Sequence, residues 1–541
     1  MANKSIFGGA TAGKRPRAVP LDSKGKVTRN EAGGLAYPLT NRAALAQYAC
    51  TGTFSNTYYA SASDQLTKTL ELASKVDNVF LAKTAIYSRR SAFMKDMPAL
   101  LVAVLFARAG NNDVEASRLF RTVFPIVIDN AKMLRNFVQV VRSGVTGRKS
   151  LGTMGKSVIN NWFDRRTADQ IFRDSVGNDP SLVDVIKLAH PKSGSDAAKH
   201  ATFNYLLGKE GARIASTLPD SIREFEAFKA NPKKASVPKV PFQLLTSLDL
   251  DTKQWTEIAL NGGWHFVRMN LNTFARHGVL KNADVVSKLA DKLRDEKEIS
   301  SSRVFPYQLL MAYKATEASS DIPMPLKLAL QDAMEIATKN VPPLSGNVWV
   351  FPDVSGSMSS PVTGHRKGAT TGVRCIDVAA LVSASILRTS PTANVLPFDT
   401  RMHAASLNPR DSVMTNAKKL ASFGGGGTTV SLCFEHLQGK KADVIIIVSD
   451  NESWLDRPVS SWGRASTASE AGWQRIKAKN PDCKLVCIDI QPYATTQVAD
   501  ERNSVLNIGG FSDSVFEVVS AFAQGSDSSF WVERIESMQV D

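Results

Sequence analysis

The sequence predicts a chain in two parts, a helical array followed by a doubly wound α/β domain. From about residue 40 to 340, apolar residues recur at three- and four-residue steps, as in DQLTKTLELASKV (64–76), PALLVAVLFARA (98–109) and NADVVSKLADKLRD (282–295). That spacing lines one face of a helix. From Gly346 onward, short continuous apolar runs alternate with helical stretches, the pattern of buried parallel strands joined by crossover helices. Charge divides the chain at the same place. Of the 66 Lys+Arg and 51 Asp+Glu, residues 344–541 hold 18 and 20, so this part carries −2 and residues 1–343 carry +17.

The elements follow in chain order. Residues 1–35 are rich in Gly, Lys and Arg without periodicity and read as a mobile basic arm. Residues 36–343 read as medium-length helices, punctuated by Gly110-Asn111-Asn112, Asn178-Asp179-Pro180, Pro191, Pro232, Pro238 and Pro306. Such a series builds an α-solenoid of stacked helix pairs or, since no clean repeat period is present, an irregular bundle. In residues 344–541, VWVF (348–351), ANVLPF (393–398), DVIIIVSD (443–450) and KLVCIDI (484–490) read as strands. IDVAALVSASILRTS (376–390), TTVSLCFEHLQG (428–439) and SDSVFEVVSAFAQG (512–525) read as crossover helices.

Composition narrows the class. A length of 541 residues predicts more than one domain, and 43% hydrophobic residues exclude an intrinsically disordered chain. The longest clean apolar run, 99–107, is far below the roughly 20 residues of a membrane span. The first residues (MANKSIFGGATAGKRPR) have no apolar core, so no secretory leader is expected. Cys50, Cys375, Cys433, Cys483 and Cys487 have neither zinc-finger nor redox spacing and read as reduced thiols of a cytoplasmic protein. The excess of positive charge favours a polyanion, because each neutralised phosphate releases counterions. It concentrates in 132–167, where Lys132, Arg135, Arg142, Arg148, Lys149, Lys156, Arg165 and Arg166 stand against Asp129 and Asp164, interleaved with Gly144, Gly147, Gly152 and Gly155. Tyr58, Tyr59, Trp162 and Trp264 are candidates for stacking on unpaired bases, although aromatics at helical spacing more often fill cores.

A second chemistry sits at the carboxyl ends of the strands, where ligands of open α/β sheets bind. The first strand runs into Asp353-Val354-Ser355-Gly356-Ser357-Met358, a D-x-S-x-S loop holding a carboxylate and two hydroxyls. Oxygen donors suit a hard cation such as Mg²⁺. Gly424 to Gly427 lead into Thr428, and the strand 443–449 runs into Asp450, each adding an oxygen. The glycine run lacks the Gly-Lys-Ser/Thr ending of a Walker loop, and the chain has no H-E-x-x-H or G-x-S-x-G. His403 and His365 lie near these loops without a defined partner, so no general base is evident and a non-enzyme is expected.

The three loops, in this order and each after a strand, resemble the metal-ion-dependent adhesion site of the von Willebrand factor A fold. That resemblance implies direct metal bonds from Ser355, Ser357 and Thr428, with Asp353 and Asp450 binding directly or through water. An ion with so few carboxylate ligands stays electrophilic and seeks an acidic group from a partner.

A basic helical region ahead of such a domain resembles the Ro autoantigen family, whose helical module is the Telomerase–Ro–Vault (TROVE) domain. The segments that carry the resemblance over roughly 35–540 are GTFSNTYYA (52–60), SRRSAFMKDMPALLVAVLFA (88–107), GRKSLGTMGKSVINNWF (147–163), VIKLAHPK (185–192), MNLNTFARHGVL (269–280), SRVFPYQLLMAYKA (302–315), DVSGSM (353–358) and SDNESW (449–454). It implies a monomeric ring of HEAT-like helical repeats closed by a Rossmann-like A-domain. It further implies small structured Y-type RNA on the basic outer face, and single-stranded 3′ ends of misfolded or immature RNA at the central hole. Polynucleotide phosphorylase or another exoribonuclease is the implied protein partner. On this chain the RNA-binding candidates are Arg148, Lys149, Lys156, Arg165, Arg166, Arg173, Lys187, His190 and Lys192. His190 matches the family's motif histidine and Arg173 a basic contact position, whereas a second basic position falls on Gly177. Two other readings remain at this point. One is a protein-binding adaptor gripping an acidic ligand through the metal. The other is a metal-dependent nuclease.

Overall fold

The chain enters the fold through a short antiparallel hairpin of β1 (Thr28–Arg29) and β2 (Leu35–Pro38). The computed structural model describes residues 28–540 apart from 31, 53, 55–60, 178–179, 247, 303, 305, 318, 340, 363–372, 451, 454–458, 462–463, 492, 500–503, 511–512 and 526–529. The basic arm expected over 1–35 is therefore shorter than its composition suggests, because residues 28–35 already belong to this hairpin; residues 1–27 lie outside the described residues.

Among the described residues, seventeen α-helices follow, from Asn41–Thr51 to Met324–Thr338. Local chemistry sets their starts. Ser61, Thr167, Ser181 and Asp251 each accept from the backbone N–H three residues on, and the residue there accepts in return, a reciprocal cap that satisfies two otherwise unpaired donors. Packing then supplies most of the stability. Phe106, Phe120, Phe124 and Phe137 meet at centroid separations of 4.8–6.0 Å and join helices Met97–Ala109, Val114–Val127 and Ala131–Ser143. Trp162 and Trp264 belong to this core, 4% and 2% exposed, with their indole N–H groups donating to the Ile128 and Leu293 carbonyls. Neither is open to a base. Tyr58 and Tyr59 lie outside the described residues.

The second part holds β3 (Val348–Pro352), β4 (Asn394–Val395), β5 (Val444–Ser449), β6 (Val459–Ser461), β7 (Arg464–Ser466), β8 (Lys484–Asp489), β9 (Thr495–Thr496) and β10 (Val505–Gly509). Five of these form one parallel sheet in the order β10-β8-β5-β3-β4. Both faces are covered. Ile445, Ile447, Leu485 and Cys487 pack on Phe434 and Trp473, while Val444, Ile446, Val448, Val486 and Ile488 point into the core shared with helix Cys375–Thr389. The chain leaves β3 toward β4 and leaves β5 toward β8, so the strand order reverses between β3 and β5, where open α/β sheets form their binding crevice. The expected helix 428–439 is the shorter Ser431–His436. Helices Val413–Ala421 and Ala468–Lys479 and strand β10 are additional to the sequence reading.

Both ends of the helical array dock on this α/β domain and close the chain into a circuit. At the first end, β2 pairs with β9, and Gln47 Nε2 donates to Asp489 Oδ2 at 2.9 Å. Arg42 bridges Asp77 at 2.7 Å and pairs with Glu536 in helix Phe530–Glu536. At the other end, Lys314 pairs with Asp377 at 2.6 Å, and the Val413 N–H donates to Glu335 at 2.6 Å. All five cysteines are buried, and none is in a disulfide. Among the described residues no helix is long and apolar enough to cross a membrane.

Candidate functional site

The strand ends bring the predicted oxygen donors together. Asp353 leaves β3 wholly buried; its Oδ1 accepts from the Ser355 N–H at 2.8 Å and its Oδ2 from the Ser449 hydroxyl at 2.5 Å. The Ser355 and Ser357 hydroxyls lie 3.2 Å apart. The glycine loop is sealed against this turn, with Gly356 N–H donating to the Gly426 carbonyl at 2.8 Å and Gly425 N–H to the Val354 carbonyl at 3.3 Å. Gly424 has φ +140°, and a Cβ there would stand 2.8 Å from the Val354 carbonyl oxygen, so only glycine allows this approach. The loop delivers Thr428, 1% exposed, and β5 delivers Asp450, 0% exposed. The Ser453 hydroxyl, 3.2 Å from the Thr428 carbonyl, ties the third loop to the second.

This donor set fits a hard cation. Thr428 Oγ1 and Asp450 Oδ2 are buried and accept no hydrogen bond, and buried oxygens without a donor are costly. Burial, reinforced by the nearby Asp450 charge, pushes Asp353 up to about 7. Burial likewise raises Asp450, against the Ser357 hydroxyl, which lowers it. Two buried carboxylates with three hydroxyls are what a divalent cation would neutralise. Among the described residues no cluster of three or more His, Cys, Asp or Glu side chains forms a metal site of another kind.

Contacts over long sequence separations surround these loops, and the sequence reading missed them. The Asn30 side chain donates to the Ser453 carbonyl at 2.9 Å and the Ala32 N–H to Glu452 at 2.9 Å, so the opening hairpin is tied to the loop carrying Asp450. His403 stands beside a carboxylate four residues earlier in the chain, a short-range approach that the sequence reading also missed. Its Nε2 lies 3.0 Å from Asp399 Oδ1, close in distance but off the hydrogen-bonding angle. Asp399 in turn backs the glycine loop, where a Cβ on Gly426 would stand 2.8 Å from Asp399 Oδ2. His365 lies outside the described residues.

The basic candidates separate into two groups. Arg148 and Arg166 hold the fold. Arg148 donates to the Phe106, Ser150 and Leu151 carbonyls and lies 3.9 Å from the Phe106 ring centroid. Arg166 donates to Asp174 and to the Trp162 and Asp129 carbonyls, 3.2 Å from the Trp162 centroid. Lys149, Lys156, Arg165, Lys187, His190 and Lys192 are exposed and form no ion pair among the described residues, although Asp184 lies one turn from Lys187. Arg173 is exposed but paired with Asp169 at 2.6 Å. The N-cap of helix Gly152–Asp164, Leu151, has no side-chain oxygen, and the Ser150 hydroxyl accepts from the Gly152 N–H at 3.2 Å instead, at the positive end of the helix dipole. At that start Ser150, Thr153, Lys156, Asn160 and Lys192 line a hollow of 650 Å³. Arg165 and Arg173 line a second hollow of 400 Å³. His190 closes helix Leu182–Ala189 in the left-handed conformation, φ 52°, which leaves its ring exposed beside Lys192.

Gly177 has a physical counterpart. Arg135 Nη1 donates to the Val176 carbonyl at 2.6 Å, and a Cβ on Gly177 would stand 2.3 Å from that guanidinium. Helix Ala131–Ser143 thus delivers a positive charge to the place where residue 177 has no side chain.

A helical array closed on a parallel α/β domain, with a D-x-S-x-S loop at the carboxyl edge of the sheet, defines a helical-repeat protein ending in an A-type domain. Residues 348–523 match the family model of the Ro60 vWA domain. RNA-binding protein RO60 of Deinococcus radiodurans is 23% identical over 549 residues, covering 94% of this chain and 97% of that one. RNA-binding protein RO60 of Caenorhabditis elegans is 24% identical over 252 residues, 44% of this chain and 37% of that one. The crystal structure of the Deinococcus radiodurans RO (RSR) protein shares the fold, with a TM-score of 0.60 at 21% identity over 90% of this chain and 100% of that one. The chain is thus similar to Ro proteins over most of its length, with the family-model match confined to its A-type domain.

Proposed function

We propose that this protein is a cytoplasmic, non-enzymatic RNA-binding scaffold. The observation that carries the reading is the set of exposed basic side chains around the start of helix Gly152–Asp164, with Lys156 and Lys192 on one hollow beside Ser150, Thr153 and Asn160, and Lys149, Lys187 and His190 exposed on the same segment. Lysines beside hydroxyl and amide side chains bind phosphate through charge and hydrogen bonds together. The names of the two RO60 relatives, RNA-binding proteins, support the same ligand. The ligands are a small structured Y-type RNA on this outer face and the single-stranded 3′ end of a misfolded or precursor RNA at the centre of the circuit. An exoribonuclease such as polynucleotide phosphorylase is the protein partner. Arg148 and Arg166 act by holding the loops that present the lysines. Selection is for shape and a free end rather than for sequence.

Mg²⁺ or another divalent cation belongs to the A-domain in this reading, held by Ser355, Ser357, Thr428, Asp353 and Asp450. Bound there, it would supply a Lewis-acidic grip on a carboxylate of a partner. Affinity for a structured RNA, measured by filter binding across a salt series, should fall steeply and log-linearly, with a slope of about 0.9 per phosphate contacted in a duplex and about 0.7 in a single strand. A flat dependence contradicts the phosphate reading.

A further inference from the structure

We infer that the A-domain carries, at the end of its sheet opposite the metal loops, a docking hollow for an acidic segment of a partner protein. The hollow has a volume of 450 Å³ and lies between the turn 437–441 that leads into β5 and the last turns of helix Ala468–Lys479. It is at the amino end of β5, a six-residue strand, and hence about 20 Å from Asp450.

Lys440, Lys441, Arg475 and Lys479 stand on its rim, and among the described residues no acidic side chain lines it. Lys441, Arg475 and Lys479 are exposed and form no ion pair among the described residues. Lys440 is held by His436 Nε2 at 2.6 Å and lies 5.1 Å from the Trp349 centroid. Compensation of the helix end accounts for part of this cluster only: Lys479 stands in the last turn of helix Ala468–Lys479, where a cation complements the dipole, whereas Lys440, Lys441 and Arg475 stand outside that turn. Four lining cations are unexpected in a part of the chain whose net charge is −2.

The lining chooses between two kinds of polyanion. Unpaired bases are held by stacking on aromatic faces. The apolar lining here is aliphatic, Ile476 and Ala478 among it. An aliphatic floor under a cationic rim matches a peptide that places one or two apolar side chains between carboxylates, as an apolar interface centre with a polar rim requires. This site does not depend on the RNA reading, which uses residues 149–192.

The test is fluorescence polarisation with the full chain and three labelled probes. These are a twelve-residue Asp/Glu peptide with two central leucines, the same peptide with glycines for the leucines, and a twelve-nucleotide oligouridylate. The leucine peptide should bind at least tenfold more tightly than the glycine peptide. Lys441→Glu with Arg475→Glu and Lys479→Glu should weaken it at least tenfold. The corresponding triple alanine variant, which adds no acidic charge to the fold, should weaken it less but in the same direction. Asp353→Ala should leave it unchanged. Equal binding of the two peptides, tighter oligouridylate binding that the triple reversal removes, or leucine-peptide binding that the reversal does not move would each overturn the inference.

Discussion

Changing Lys156, Lys187 and Lys192 together to glutamate should lower affinity for a structured small RNA at least a hundredfold at physiological salt. Hydrogen bonds to charged groups contribute about 1.5–3 kcal/mol each. Three lost contacts therefore exceed the roughly 2.8 kcal/mol that a hundredfold change represents, before repulsion from the new carboxylates is added. All three lysines are exposed and unpaired among the described residues, so the variant should keep its fold and its melting temperature. Filter binding over a salt series also separates mechanism from damage, since the slope should fall by about one for each phosphate contact removed. Unchanged affinity, or a lower affinity with an unchanged slope, would place the RNA elsewhere.

Asp353→Ala should abolish stabilisation of the protein by a divalent cation. In the wild type, Mg²⁺ at a hundred times its dissociation constant should add about 2.7 kcal/mol, read as a rise in Tm that saturates with concentration. The gain has a local cause. Asp353 and Asp450 are buried together, and two of the surrounding oxygens, Thr428 Oγ1 and Asp450 Oδ2, accept no hydrogen bond. Without Mg²⁺, removing the Asp353 carboxylate also relieves the repulsion between the pair. The variant should then melt no lower than the wild type by more than the loss of its Ser355 and Ser449 hydrogen bonds allows. A variant that still gains the full Mg²⁺ increment would contradict the assigned donor set.

Features carried by local pattern were readable from the chain alone. The D-x-S-x-S loop, the glycine run before Thr428 and the strand entering Asp450 each follow an apolar run, so their arrival at one edge followed from parallel pairing. The charge division at residue 343 was likewise plain in the sequence. What escaped was set by contacts across long separations. The approach of His403 to Asp399 escaped for another reason: the two are four residues apart, but no helix spans them and the turn after β4 brings them together. Asn30 and Gln47 bond to residues more than 400 positions away, Ser453 and Asp489, and without such contacts the opening hairpin read as part of a mobile arm. Arg148 and Arg166 looked like free cations because only packing reveals that backbone carbonyls and aromatic faces engage them. Strand β10 is VLNIG, which carries a polar residue and a glycine in five positions, too weak a pattern to stand out. The cations of the A-domain hollow are split between two helix ends and meet only in the fold.

We propose above that RNA is held on the basic segment 149–192 of the helical circuit. Ultraviolet cross-linking of the full chain to its co-purified RNA, followed by mass spectrometry of the modified peptides, tests it directly. Cross-links should cluster in 149–192, with further ones facing the inside of the circuit only where single-stranded 3′ ends are present. Cross-links confined to the A-domain, or absent from 149–192 in RNA-bearing material, would contradict it.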